Sequence, residues 1–208
     1  MEHLVAMYKT GLMGLALALL VIGLAACQWM PGKSGQSKPY LSPAKIDILQ
    51  SPTPQGLTSL HCIGNIRCEF AKLNNVVVIN EITRQPTDEA IHASMVRFEP
   101  DALGNQPASK YFVAMQPGVS EVKLRFYPVT LDRAENFSLI HNFRAGRSYY
   151  LSMFRQRINT GSSSLLSMAA PEPLCVQLLE EHQVIRRFCR PFDPSTGLGE
   201  FIEQRVSS

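Results

Sequence analysis

The sequence predicts a mainly β domain, an antiparallel β-sandwich, over residues 59–208. Three observations predict it. Short runs alternate apolar and polar residues with period two, the period at which side chains change faces along a strand. Gly or Pro punctuates the runs, as at Pro117-Gly118 and Ala145-Gly146. Four cysteines fall within the span, an even number that suits disulfide staples. With 45% hydrophobic residues, the 208-residue chain is ample for one real core.

The chain opens differently. Residues 11–26 are uncharged and rich in Leu and Ala. The run is short for a membrane-crossing helix, which needs about 20 apolar residues, and it suits the apolar region of a secretory signal. Residues 1–26 therefore read as a signal peptide. The run ends in Leu24-Ala25-Ala26-Cys27. This tetrapeptide resembles the lipobox of bacterial lipoproteins. The resemblance implies cleavage before Cys27, diacylglycerol on its sulfur and an acyl chain on the new amino group. One chain anchors marginally, and several make membrane residence stable. In this family an aspartate after the cysteine commonly retains the protein in the inner membrane. Gln28 stands there instead, which implies the outer membrane, with the domain in the periplasm or at the cell surface.

Residues 27–58 read as the lipidated cysteine and a tether. Pro31, Pro39, Pro43, Pro52 and Pro54 punctuate it. Proline fixes φ and lacks an amide donor, so a semi-extended leash with little helix or sheet is expected. Ile46-Asp47-Ile48-Leu49 is the stretch able to dock locally. Trp29 suits the lipid interface.

The domain follows. Leu60 to Glu69 reads as a small loop pinched by Cys62 and Cys68, with a turn at Gly64-Asn65. Asn75 to Ile82, which contains Val76-Val77-Val78-Ile79, reads as a strand buried on both faces, broken over residues 86–89. In 93–99, Val96 and Phe98 oppose Met95, Arg97 and Glu99. In 110–116, Tyr111, Val113 and Met115 share a face. Residues 121–127 alternate most cleanly, with Val122, Leu124 and Phe126 inward and Lys123, Arg125 and Tyr127 outward. Phe137, Leu139, His141 and Phe143 line one face of the next strand. Then Tyr149, Leu151 and Met153 oppose Tyr150 and Phe154. Residues 160–164 read as a flexible connection and 165–170 as a helical turn or two. A hairpin pairs 174–179 with 184–190. A turn at 193–197 precedes a short strand at Phe201-Ile202-Glu203.

The order over residues 110–155 is a strand ending in Gln-Pro-Gly, the alternating Val-Ser-Glu-Val-Lys-Leu-Arg-Phe-Tyr, a Phe-rich strand, then Arg-Ala-Gly-Arg-Ser-Tyr-Tyr-Leu. It resembles the small β-sandwich domains of bacterial envelope lipoproteins, including those of the PEGA type. The resemblance implies an Ig-like sandwich and an envelope compartment. It supplies no catalytic residues, because such domains are mostly regarded as binding or spacing modules.

With Cys27 taken by lipid, Cys62, Cys68, Cys175 and Cys189 remain, and an exported chain can pair them in three ways. The local pairing, Cys62–Cys68 and Cys175–Cys189, is favoured. Cys175 and Cys189 lie seven positions either side of residue 182, the centre of the hairpin turn. Directly opposite residues sit about 4.5–5.5 Å apart at Cα, within disulfide range. A zinc site is disfavoured, since structural zinc pairs are usually about two to four residues apart. The later bridge closes the longer loop, worth about 3 kcal/mol in the chain-entropy model, so it is expected to stabilise more than Cys62–Cys68.

Little else carries chemistry. His61, His92, His141 and His182 show no metal spacing; His141 reads as a core histidine, and His61 sits beside a cysteine expected in a disulfide. No Gly-x-Ser-x-Gly elbow or phosphate loop occurs. Asp88-Glu89 and Glu180-Glu181 fall in turn regions. No catalytic residue, metal or cofactor is expected. A net charge of +3 in an exported chain argues against nucleic acid. Arginine is the enriched type. Arg186, Arg187 and Arg190, with Arg144, Arg147, Arg155 and Arg157, would make one edge basic if the two hairpins lie side by side. That edge suits an anionic glycan or an acidic envelope protein; the alternative is a charged edge strand that resists aggregation. The expected role is an outer-membrane lipoprotein acting as a non-enzymatic binding or structural module. An envelope hydrolase acting on cell-wall material and an inhibitor-like protein that blocks an enzyme cleft are the alternatives.

Overall fold

The structure, a computed structural model, describes residues 41–100, 107–156, 172–190 and 199–206. Two sheets face each other across a core. The larger contains β1 (Thr58–Cys62), β4 (Val96–Phe98), β5 (Tyr111–Met115), β8 (Ser148–Arg155), β9 (Leu174–Glu180), β10 (Gln183–Arg190) and β11 (Ile202–Gln204), in the order β11-β10-β9-β8-β1-β5-β4. The smaller contains β2 (Arg67–Leu73), β3 (Val76–Val77), β6 (Gly118–Tyr127) and β7 (Glu135–Phe143), in the order β3-β2-β6-β7. This is the expected mainly β sandwich. All pairings are antiparallel except β1 with β8. A parallel pair needs a long crossover, and here the chain between β1 and β8 runs through the whole smaller sheet.

The alternating runs predict the core correctly. Val122, Leu124 and Phe126 of β6, Phe137, Leu139 and Phe143 of β7, and Tyr149, Leu151 and Met153 of β8 are all buried in one cluster. Some details differ. The stretch read as a loop over residues 60–69 holds the end of β1 and the start of β2, because each strand finds neighbours far away in sequence. The strand read over residues 75–82 is only Val76–Val77, and Val77 is 37% exposed because β3 lies at the sheet edge; only Val78 and Ile79 of the Val-Val-Val-Ile run are buried. Arg125 and Tyr127 face away from the core yet are buried. The segment after β3 covers them: Arg125 Nη2 donates to the Ile79 carbonyl at 2.9 Å, and the Arg84 guanidinium lies over the Tyr127 ring at 4.7 Å.

Two helices were not expected. α1 (Pro43–Gln50) lies within the segment read as tether. Its Leu49 is buried in the core cluster, with Ile48 and Leu41 packed against that cluster. Pro43 occupies the first turn, where its missing N–H has no intrahelical partner to lose. A residue that looks like a breaker therefore starts a helix. α2 (Asp88–His92) is capped by Thr87, whose hydroxyl accepts from Ala90 N, with Asp88 and Glu89 in the first turn. Cys27, Trp29, the helical turn at 165–170 and the turn at 193–197 lie outside the described residues.

Both local cystines are present. Their settings differ. Cys62 ends β1 in the larger sheet, and Cys68 lies on β2 in the smaller, so this bridge joins the sheets through the core. Cys175 and Cys189 are direct partners on β9 and β10. The turn between these strands has two residues, Glu181 and His182, both at positive φ. A bulge between Val184 and Arg186 adds the one-residue offset, and Cys175 lands opposite Cys189 as the spacing about residue 182 predicts.

The β7–β8 corner gives a physical account of the Phe-Arg-Ala-Gly-Arg-Ser-Tyr run. Phe143 and Tyr149 are buried, with rings 5.0 Å apart and edge-on. Gly146 takes φ +65° between them. The Tyr149 hydroxyl accepts from Arg144 N at 3.1 Å and donates to Glu180 at 3.2 Å. A buried tyrosine whose hydroxyl bonds backbone a few residues upstream is similar to the tyrosine corner of sandwich domains.

Two predictions follow from these contacts. Tyr149→Phe leaves the Arg144 amide and Glu180 short of a partner and is expected to cost about 1–3 kcal/mol, read as a lower midpoint in urea with an unchanged slope. The second concerns the cystines. The ranking by loop length holds only if the replacements are harmless; serines at 62 and 68 would bury two hydroxyls within the apolar core cluster, whereas those at 175 and 189, also buried, would lie beside the Gln156 side-chain oxygen. In thermal melts, Cys62→Ser with Cys68→Ser should lower Tm at least as far as Cys175→Ser with Cys189→Ser. The corresponding alanine pairs should restore the loop-length order.

Candidate ligand-binding cleft

The β7–β8 corner also builds the wall of a cleft. Thr58 Oγ1 donates to the Arg144 carbonyl at 2.6 Å, and Ser59 N donates to the Arg147 carbonyl at 3.2 Å. These bonds tie the corner to the start of β1. The chain entering β1 supplies the opposite wall, with Gly56 at φ +84°. Between them lies a cleft of about 360 Å³, floored by Ser59 and His61 of β1 and Phe112 of β5, with Arg147 and Ser148 at its rim.

His61 is the most constrained group in this cleft. Its ring stacks on Phe112 at 4.6 Å and on Tyr150 at 5.3 Å, and Tyr150 stacks in turn on His182 at 4.7 Å. The four rings form a ladder across β5, β1, β8 and the β9–β10 turn. His61 Nδ1 lies 2.9 and 3.0 Å from the two Glu99 carboxylate oxygens. A carboxylate only accepts, so Nδ1 carries the proton. Both side chains are nearly out of water, 12% exposed for His61 and 7% for Glu99. Glu99 is set in place beyond β4 by its backbone N–H, which donates to the Lys110 carbonyl at 2.8 Å.

Hydroxyls lie beside the ladder. Ser59 Oγ donates to Ser148 Oγ at 3.1 Å. Ser148 N donates to the Glu181 carboxylate at 2.9 Å, while Glu181 N donates back to the Ser148 carbonyl at 3.0 Å. This double clamp, with His182 stacked on Tyr150, holds two non-glycine residues at positive φ, where Asn-Gly would be the usual choice. Arg147 is half exposed, its Nε 3.9 Å from Glu180.

The expected arginine patch is arranged differently from a free basic face. Arg186 forks onto Glu203 of β11 at 2.7 and 2.8 Å and donates from Nη1 to the Ile140 carbonyl of β7 at 2.7 Å. Arg190 pairs with Glu135 of β7 at 2.8 Å and lies over the Phe201 ring. Arg187 is placed near Phe154 and has a buried Nε without a partner. β11 covers β10, so β10 is not an edge. Arg144 and Arg147 both approach Glu180, Arg155 donates to the Glu172 carbonyl, and Arg157 lies outside the described residues. Arg186 and Arg190 thus stitch the larger sheet to the β7 edge of the smaller one.

A second charged cluster lies on the solvent-facing side of the smaller sheet. Buried Glu69 takes Arg84 Nη1 at 2.6 Å and the Tyr127 hydroxyl at 3.0 Å, with Arg125 at 3.6 Å and Arg67 at 3.7 Å. Arg84 also contacts the Tyr127 hydroxyl directly. Its partners close on one another. His141, read as a core histidine, is only partly buried; it packs edge-on to Phe143 and Tyr149, and burial followed by nearby Arg186 pushes its pKa down. Among the described residues, no three His, Cys, Asp or Glu side chains are placed to hold a metal, and no helix is long and apolar enough to cross a membrane.

Sequence reasoning noticed His61 and set it aside because of its neighbour Cys62. It missed Glu99, Phe112 and Tyr150 as its partners, and His182 as the ring beyond Tyr150. The available signal was parity: Cys62 is inward on β1, so His61 must be outward. Which rings flank it depends on the parallel β1–β8 pairing, which no local pattern encodes. Comparison with family models, with curated proteins and with solved structures finds no match.

The Arg186–Glu203 pair carries a pH prediction. The Arg186 bond holds the Glu203 pKa below its usual value. A lowered carboxylate pKa contributes stability above the unfolded value, about 4.5, that is lost as pH falls through the folded value. Glu203→Gln should therefore lower Tm at pH 7 and shrink the drop in Tm between pH 7 and pH 3, read by calorimetry.

Proposed function

We propose that this chain is an outer-membrane lipoprotein of the Gram-negative envelope, anchored through lipid on Cys27, whose sandwich is a non-enzymatic binding or structural module. The observation that carries this reading is the uncharged run ending in Leu24-Ala25-Ala26-Cys27. Two cystines support an oxidising compartment. The domain offers a small cleft of fixed groups beside the aromatic ladder, which supports recognition of an envelope partner or an anionic glycan. The PEGA-like order of residues 110–155 supports the same role.

A second reading has one observation in its favour. Ser59, His61 and Glu99 are residue types of a hydrolase triad, and Glu99 orients the imidazole as such a group does. Against it, the Ser59 hydroxyl donates to Ser148 rather than to His61. A fluorophosphonate probe that labels Ser59 would favour the hydrolase.

The anchor is tested by growing cells expressing wild-type and Cys27→Ser chains on labelled palmitate. The wild type should carry label and fractionate with outer membranes; the variant should be unlabelled and remain as uncleaved precursor. A labelled Cys27→Ser chain would overturn the lipoprotein reading.

A further inference from the structure

We propose that the cleft between the β7–β8 corner and the entry to β1 is a carboxylate-binding site, with His61 and Arg147 as its two cationic donors. The proposal deepens the reading of this domain as a binding module by assigning its ligand class.

The first argument is the chemistry of the lining. The cleft wall contains no Asp, Glu or Lys. Its polar groups include the Ser59 and Ser148 hydroxyls, the Arg147 guanidinium and the His61 imidazole. Thr53 and Gln55 add neutral polar groups, and the one permanently charged side chain on the wall is cationic, Arg147. A concave, donor-rich site of this size suits a small anion-bearing ligand.

The second argument is the orientation of His61. Its Nδ1 proton is committed to Glu99, which lies towards the C-terminal end of β1, beyond the ladder. The opposite ring edge, with Nε2, is turned away from Glu99, and His61 lines the cleft together with Ser59. The stacked Phe112 and Tyr150 rings prevent the imidazole from turning. A carboxylate in the cleft would accept a hydrogen bond from Nε2–H of an imidazolium held between two carboxylates, one built in and one brought by the ligand. Glu99 thus acts as a positioning residue.

The third argument is Arg147. Its contact with a carboxylate, 3.9 Å from Nε to Glu180, is long, and the side chain is 53% exposed. The terminal fork is open to a second carboxylate in the paired geometry that arginine prefers. Pro54, Leu57 and Phe112 supply apolar wall beside these donors, so the preferred ligand carries hydrocarbon next to its carboxylate. A peptide C terminus and an acidic sugar both meet that description.

The test uses the full chain in detergent and isothermal titration with two matched pairs: N-acetyl-alanyl-alanine against its C-terminal amide, and glucuronate against glucuronamide. In at least one pair the acid should bind about tenfold or more tightly than the amide, the scale of a lost charged hydrogen bond; the pair that discriminates identifies the source. Arg147→Gln should weaken the acid by a similar factor without moving Tm. Replacing His61 with Phe and Glu99 with Leu together keeps the ring stack, leaves no stranded charge and should also weaken the acid about tenfold. Acid and amide binding alike in both pairs, no binding by either acid, or an unchanged affinity in Arg147→Gln would each overturn the assignment. Palmitate labelling of the same preparation keeps this outcome separate from the anchor, because a labelled chain that ignores carboxylates is still a lipoprotein.

Discussion

The sandwich depends on one crossing. β1 lies inside the larger sheet between β8 and β5, and β2 lies inside the smaller sheet between β3 and β6. The chain passes from one to the other between Cys62 and Cys68, six residues apart in sequence, and the disulfide closes that passage within the core. Gly64 takes φ +98° there, and a Cβ would stand 3.1 Å from Ser152 Oγ. A short cystine loop constrains the unfolded chain modestly. Its larger consequence here is geometric: two interior strands of opposite sheets cannot separate, so Leu60 and Phe70 and the residues around them share one buried cluster.

Charge closes what the cystine does not. The β7 edge of the smaller sheet would expose unpaired backbone groups, the usual hazard of an edge strand. Arg186 donates to the Ile140 carbonyl on that edge, and Arg190 pairs with Glu135 at its start. Phe188 and Phe201 pack edge-on to Phe137 beneath them. On the other side of the same sheet, Glu69 gathers Arg84, Arg125 and Tyr127 and fastens the segment after β3. Arginine in this chain is therefore largely committed to architecture. Arg147 is a partial exception, with its one long contact to Glu180.

The cleft is built from consequences of the same topology. The parallel β1–β8 pairing sets His61 beside Tyr150. The β1–β5 pairing brings Phe112 to its other face. The β7–β8 corner, fixed by the Tyr149 hydroxyl, delivers Arg147 and Ser148 to the rim. Each contact is a tertiary one, and each converges on a histidine that sequence alone leaves without neighbours.

By itself the sequence determined the mainly β class, most strands from residue 96 onward with their core-facing residues, and the lipobox-like motif, and it favoured both local cystine pairs; the stretch read as a loop over residues 60–69 instead holds the end of β1 and the start of β2. These are local properties: period two decides which face a side chain takes, and spacing about a turn decides which residues are opposite. The same logic misplaced what local rules do not reach. Pro43 looked like part of a leash and begins a helix, because burial of Leu49 outweighs weak local propensity. Arg125 and Tyr127 alternate outward yet are buried, because another segment folds over them. The three arginines of β10 were read as one basic edge, but neighbouring strand residues face opposite sides and β11 pairs outside them. Tertiary structure alone decided that Cys62–Cys68 joins two sheets, that β1 lies parallel to β8, and that Glu99 meets His61 across 38 residues of chain. Those outcomes depend on which strands become neighbours, and side-chain period fixes a face without fixing a neighbour.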